Sequence, residues 1–461
     1  LSYPAQGHGS DHDQPHFFSG GTEVAKPCQA VLLMYLNSLR YWYMHLYLGV
    51  FALYTYFNKG IAYGFFAEAI LLLGLVLVLV DLKNYIVPYS RAVTPIFIFL
   101  AAAIIWSAPA LTSQPMAAVL KDAAVFLYPG FALVIFLFLP YWRQFTRGLI
   151  TIYAFYPLVA FISLQISINF PKWVEFSLFN DVSLLLVKFG DMAVHLLMST
   201  LLLLSGYIKM DRRLLLINAV LIIYLILMVA TFSRGGFFAY LIGIGVFFWS
   251  YRKKFNAATL RSYLLVFALF FTAAIFFYIN TRTEENFQGR AVGVEQLVLN
   301  VKTVFSNEED GALTDNKLWR LAWWYKIIAD AKDPVTAIKG VGPGPNLALL
   351  GEVAAEDETL RSPHNISLTI LARFGIPLLI VWLVWVYNTI IRSINSHQLS
   401  AFSRIIALVM LAAFFNASFD VYLEGPMGAF LFWTLGGILL MQHFLDKKAA
   451  SVTTEKSDDI K

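Results

Sequence analysis

The chain has 461 residues, 59% of them hydrophobic and only 14% charged, with 40 phenylalanines and a formal net charge of +5. Soluble domains carry about 25% charged residues, so this composition excludes an ordinary soluble protein. The small positive excess fits membrane topology rather than a nucleic-acid partner. The single cysteine, Cys28, excludes an internal disulfide and any paired-cysteine metal site.

Residues 1–30 are polar, bear His and Gly, and read as a disordered or added N-terminal tail with no visible cleavable signal peptide. Beyond it the sequence predicts spans at 39–57, 61–80, 92–108, 119–139, 147–169, 183–207, 214–231, 236–250 and 260–280. Crossing the hydrocarbon takes roughly 20 apolar residues. Helices are expected because lipid offers no partner for backbone polar groups, and these runs are too continuous for barrel strands. Lys83, Arg91, Arg143, Arg147, Lys209, Arg212, Arg213, Arg252, Lys253, Lys254, Arg261, Arg392 and Arg404 fall in loops on one side, against Lys59, Lys121, Lys172 and Arg234 on the other. The positive-inside rule then puts both termini in the cytoplasm and residues 281–363 outside.

That outer segment holds two predicted helices. "RAVGVEQLVLNVKTVF" repeats Val294, Leu297, Val298, Val301 and Val304 at helical spacing. "TDNKLWRLAWWYKIIADA" offers Thr314 or Asp315 as a cap ahead of Leu318, Leu321, Trp324 and Ile328. Spans at 366–390, 402–422 and 427–445 complete a set of twelve. The expected fold class is an all-α polytopic membrane protein of about 12 transmembrane helices with one large outer loop. Its segments are 31–280 with nine helices, 281–365 as the partly helical loop, 366–445 with three helices, and 446–461 as a cytoplasmic tail.

Charge inside spans is costly and usually functional. Glu68, Lys188, Asp191, Arg234, His364, Arg373, Asp420 and Glu424 all fall toward the outer side, which predicts a polar chamber there, roofed by the loop. "TFSRGGFFAY" sets Arg234 before a Gly-Gly pair at a helix start, where a guanidinium and free N–H groups suit a phosphate; a snorkelling arginine is the other reading. Arg290 in "NFQGRAVGV" follows the same anion logic or is an ordinary loop arginine. Arg320 in "KLWRLAWWYK" has tryptophans at helical spacing and either makes a cation–π contact or packs at the interface. "GVGPGPN" (340–346) lacks the ending of a phosphate-binding P-loop and reads as a rigid turn. In "RSPHNISLTILARFGIPLL", Asn365 can cap a helix, and His364 is either a structural edge histidine or a proton acceptor near neutral pH. Arg361 lies beside it.

"SRGG" at 233–236, "GR" at 289–290, "WR" at 319–320, "GVGPGPN" and "PHN" followed by "RFGIPL" occur in an order and topological placement that resemble the O-antigen ligase/polymerase superfamily. The resemblance implies a GT-C-like fold and a periplasmic active site at the bacterial inner membrane. It implies no cofactor, no metal, and partners that are an undecaprenyl-diphosphate-linked glycan, lipid A–core and the bilayer. It further implies that His364 acts as base or orients the acceptor hydroxyl, and that Arg234 and Arg290 grip the diphosphate. Arg320, Arg361, Lys188, Asp191 and Asp420 are further substrate-binding candidates by their outer placement alone, with no motif that assigns them a role. The O-antigen ligases are the most similar members. A polymerase or a protein O-oligosaccharyltransferase shares the donor chemistry. A flippase for lipid-linked glycans is a rival of another class, favoured only by His195 deep in the sixth span.

Overall fold

The computed structural model describes residues 27–61, 64–82, 85, 93–170, 177–179, 182–183, 185, 188–252, 268, 271–272, 275–276, 283–287, 290–292, 311–350, 360–396 and 399–458, without the side chains of 27–33, 58–60, 177–179, 182–183, 283–287, 290–292, 311–317 and 447–458. In chain order the helices are α1 (Pro27–Ile61), α2 (Phe66–Val80), α3 (Thr94–Ala110), α4 (Met116–Leu127), α5 (Gly130–Val134), a 3-10 turn (Ile135–Tyr141) and α6 (Trp142–Asn169). A hairpin of β1 (Ser177–Phe179) and β2 (Val182–Ser183) precedes α7 (Phe189–Leu204), α8 (Arg212–Phe232) and α9 (Arg234–Tyr251). A second hairpin, β3 (Thr283–Phe287) with β4 (Arg290–Val292), leads to α10 (Gly311–Asp330), α11 (Pro334–Lys339) and α12 (Leu347–Leu350). The chain ends with α13 (Ile366–Val386), a π-turn (Tyr387–Ile391), α14 (Arg392–Asn395), α15 (Ala401–Asn416) and α16 (Pro426–Asp458).

Among the described residues, four helical stretches are long and apolar enough to cross a membrane: Gly130–Asn169, Arg212–Phe232, Ile366–Asn395 and Pro426–Asp446. Phe66–Val80, Thr94–Ala110, Phe189–Leu204 and Ala401–Asn416 are shorter apolar helices. The result is a polytopic helical membrane protein, with two small hairpins among the described residues.

Several predicted edges move, for identifiable reasons. The 61–80 span starts only at Phe66, because Phe65 takes a left-handed conformation. The 119–139 span is broken at Tyr128–Pro129 into α4 and α5, and Pro140 lies within the 3-10 turn that follows; a proline supplies no N–H to continue the ladder. The 183–207 span begins at Phe189, with Val182–Ser183 paired into a hairpin. The 402–422 span stops at Asn416, and the next residues form a turn. The helix predicted from Arg290 opens instead as strand β4; its remainder, and most of the 260–280 span, lie outside the described residues. Helix α10 begins at Gly311, ahead of the caps expected at Thr314 or Asp315, and α16 continues to Asp458 where a tail was expected.

The bundle is organised around α7. Nearly every residue from Phe189 to Leu202 is buried, as expected of a helix apolar on all sides. In the same core, Phe430 of α16 meets Tyr47, Phe51, Tyr54 and Phe131 at ring separations of 5.1, 5.5, 5.5 and 4.5 Å. Such aromatic pairs add about 0.5–1.5 kcal/mol each beyond burial.

The break in α13 positions the site. Gly375 sits inside the helix at φ 77°, ψ −176°, a region open essentially to glycine, and Pro377 follows. Pro377 has no N–H to give the carbonyl of Arg373. The "GVGPGPN" loop supplies the missing donors: Gly342 N–H donates to Arg373 O at 2.8 Å and Val341 N–H to Ala372 O at 2.9 Å. Gly340, at φ 63°, lets the backbones meet, since a Cβ there would lie 2.3 Å from the Arg373 carbonyl carbon. Gly340→Ala is therefore expected to destabilise the protein by at least the ~1–3 kcal/mol of a glycine-only conformation. A detergent-solubilised melt that leaves Tm unchanged would contradict this packing.

Candidate functional site

One end of the bundle gathers most of the described polar residues singled out above. The N-terminus of α9 presses on that of α7: a Cβ on Gly236 would lie 2.7 Å from Gly190 Cα. Here the glycine pair allows close approach of backbones. Ser233 caps α9 by accepting from Gly236 N–H at 3.2 Å. Gly235 faces Phe419, with its built Cβ 3.4 Å from the Phe419 side chain. This places Arg234, partly buried, beside the turn that carries Asp420.

That turn is stitched to the start of α13. Ile366 N–H donates to Ala417 O at 3.0 Å, Asn365 Nδ2 donates to Ser418 O at 3.1 Å, and Asn365 Oδ1 caps α13 by accepting from Leu368 N–H at 3.1 Å. Asn365 thus does the capping its sequence context predicts while holding the turn. Helix α10 closes the arrangement from outside the bundle. Trp324 Nε1 donates to Pro363 O at 2.8 Å, and Arg320 Nη1 donates to Phe419 O at 3.0 Å. The Arg320 guanidinium also lies 5.3 Å from the Trp319 ring, within cation–π range.

His364 stands at the centre with φ 55°, an uncommon conformation for a residue with a side chain. Its ring meets Trp319 edge-on at 5.7 Å. His364 Nδ1 is 4.0 Å from Asp420 Oδ1, and Lys188 Nζ is 3.1 Å from the same oxygen. Lys188 also lies 3.9 Å from Asp191, one helical turn along α7 and fully buried. Burial works against the Lys188 charge, but Asp191 and Asp420 outweigh it and its pKa is raised. Burial and the Arg320 charge push His364 down to about 4, against the pull of Asp420. At neutral pH the imidazole is uncharged and able to accept a proton, next to a protonated Lys188 and Arg320.

Arg361 is placed apart from this group. Its Nη2 donates to Asp122 Oδ2 at 3.2 Å and to Gly344 O at 2.8 Å. Arg373 meets the same Asp122 oxygen at 2.9 Å, as does Gly344 N–H at 2.8 Å. Arg373 also donates to Gly342 O and Pro345 O, both at 3.2 Å. Arg290 opens β4, and its side chain is outside the described residues. His195 lies in an aromatic cage, 3.3 Å from the Tyr153 hydroxyl and with the Tyr156 ring at 5.2 Å. Among the described residues no three His, Cys, Asp or Glu side chains gather as a metal site.

Sequence reasoning missed Asp122, Trp319 and the hydroxyls around Glu424. Thr369 Oγ1 donates to Glu424 at 2.9 Å; burial pushes that carboxyl's pKa up, against hydrogen bonds from Thr369 and Ser362. Asp122 had a legible signal, a lone acid in the apolar run "VLKDAAVFL". Trp319 had none, because only the fold brings it against His364. Asp122→Ala would leave two guanidinium groups facing an apolar patch. The expected loss is about 3–5 kcal/mol, as for one broken partner of a buried pair. Thermal unfolding of the purified variant measures it, and a shift under about 1 kcal/mol would contradict a central role for this pair.

No curated protein matches the chain. Residues 219–383 match the Wzy_C family model, described as O-Antigen ligase. The matched region contains Arg234, Arg290, Arg320, Arg361 and His364, whereas Lys188, Asp191 and Asp420, which join the charged cluster beside His364, lie outside it. The match supports placing this multi-pass membrane protein in the O-antigen ligase/polymerase superfamily of glycosyltransferase-like enzymes.

Proposed function

We propose that the protein is an O-antigen ligase of the WaaL type, moving a glycan from undecaprenyl diphosphate to a sugar hydroxyl of lipid A–core at the periplasmic face of the bacterial inner membrane. The observation that carries the reading is the uncharged His364 held beside Asp420, Lys188 and Arg320, at the corner where Arg234 opens α9. It combines a proton acceptor with cations suited to a diphosphate.

In this mechanism the acceptor hydroxyl oxygen attacks the anomeric carbon of the donor. The bond from that carbon to the phosphate oxygen breaks, and undecaprenyl diphosphate departs with the electron pair. The hydroxyl proton passes to His364. A single displacement inverts the anomeric centre. Arg234 and Arg290 hold the diphosphate, with Arg320 and Lys188 adding positive charge, so the scheme calls for no metal ion and no nucleotide. Guanidinium groups suit the task because they stay charged and bind phosphate oxygens in pairs. The incoming diphosphate also neutralises the cations that depress the His364 pKa, so the imidazole becomes more basic as substrate binds. Asp420 orients Lys188 and stabilises the imidazolium that forms.

The direct test mixes purified protein with undecaprenyl-diphosphate-linked glycan and lipid A–core and resolves the products on a gel. A glycan–core conjugate is expected, and it disappears in His364→Ala. Arg234→Ala is expected to slow transfer by ~10²–10³. Glycan lengthening without core would show a polymerase; no product with wild-type protein, alongside movement of the lipid-linked glycan across vesicles, would show a flippase.

Proton uptake fixes the sign of the pH dependence. The neutral imidazole is the active form, so kcat/KM for wild type stays level from pH 8 down to pH 6 and falls as the pH drops toward about 4. Arg320→Met removes a charge that holds the His364 pKa down, so the acid limb moves to higher pH. An unmoved limb in that variant would separate His364 from the proton transfer.

A further inference from the structure

The outer helices α10 and α11 have two apolar sides. On one side Trp323 and Ile327 pack with Leu347 and Leu371 in a small core of their own. On the other, Leu321, Tyr325, Ile328, Val335 and Ile338 are exposed, Tyr325 by 73% and Ile338 by 66%. An extramembrane element surrounded by water would carry polar residues there.

Two observations bear on what covers this face. The first is depth. The backbone of Ala337 and Ile338 lies against Gly375, within the membrane-crossing stretch Ile366–Asn395. That stretch has 30 residues, about 45 Å as helix, against ~30 Å of hydrocarbon. The part after Gly375 alone matches the hydrocarbon thickness, so α11 packs at its outer edge. Trp106 of α3, whose indole suits such an edge, donates to Lys339 O at 2.9 Å. On the two helices that α11 meets, Ile376 and Ile380 of α13 and Ile104 and Ile105 of α3 are exposed as well.

The second is backbone satisfaction. Irregular chain at membrane depth must have its polar groups met by protein. Most polar groups of residues 341–345 meet that condition: the N–H groups of Val341, Gly342 and Gly344 and the carbonyls of Gly342, Gly344 and Pro345 all bond to α13, Asp122, Arg361 or Arg373.

The geometry points to α10–α11 as a membrane-seated shelf, with the outward face of Tyr325, Val335 and Ile338 immersed in outer-leaflet hydrocarbon. The segment is then part of the lipid-facing surface and not of a free aqueous loop. His364, before the first turn of α13, is set roughly 13 Å outward of Gly375. On the functional reading above, that is the zone of lipid phosphates and sugars rather than of their chains.

The test uses the full chain in lipid nanodiscs, with Cys28→Ser and single substitutions Tyr325→Cys, Val335→Cys and Ile338→Cys carrying a nitroxide. Leu383→Cys, exposed on α13, serves as the lipid reference and Lys332→Cys as the aqueous one. Power saturation with oxygen and an aqueous nickel chelate reports the surroundings of each label. An oxygen-over-nickel accessibility ratio at 335 and 338 well above that at 332, and below that at the deeper 383, supports the shelf. Nickel access equal to that at 332 overturns it, and so does shelter from both reagents, which would mean that protein covers the face. These labels report depth whether or not the protein proves to be a ligase, so the two readings fail independently.

Discussion

The carboxylate of Asp122 is the point on which the outer end of the molecule depends. It accepts from two guanidinium groups and one backbone amide, drawn from three separate segments. Each of those groups would be costly to bury alone. Arg373 is nearly inaccessible, and it can be so only because Asp122 and two loop carbonyls answer its donors. The same carboxylate holds Arg361, three residues before His364. The left-handed conformation of His364 is thus bounded by anchored chain on both sides, with Arg361 fixed behind it and Asn365 fixed ahead.

Two breaks in helical regularity serve the site. The kink in α13 exposes carbonyls that the glycine-rich loop takes up, which joins the loop to the membrane bundle. The early end of α15 at Asn416 frees a turn that brings Asp420 and Glu424 to the face of His364 and Thr369. A continuous helix through residue 422 would have carried these carboxylates past the site. Irregular backbone is tolerated at both places because neighbouring protein satisfies its polar groups.

Charge in the cluster is balanced rather than merely accumulated. Lys188 is flanked by Asp191 and Asp420, while Arg320 gives one hydrogen bond to a carbonyl and meets an aromatic face. Burial lowers the Arg320 pKa against the influence of Asp420. Such a group gains from any anion that arrives, because the anion supplies the solvation that burial removed. Such a corner favours an anion more than the same charges would on an open surface.

Much of this was legible in the residues themselves. Hydrophobic runs fixed the membrane class and most helices, because the cost of unpaired backbone in lipid leaves few alternatives. The cap at Asn365, the helix in 314–331 and the Gly-Gly approach at 235–236 follow from local chemistry, which depends on neighbours in sequence. What the tertiary structure alone decided is pairing across long separations. Arg361 and Arg373 belong to Asp122, over 200 positions earlier, and Lys188 belongs to Asp420. No local pattern encodes such partners, since a buried charge is satisfied by whichever opposite group the packed helices bring within reach.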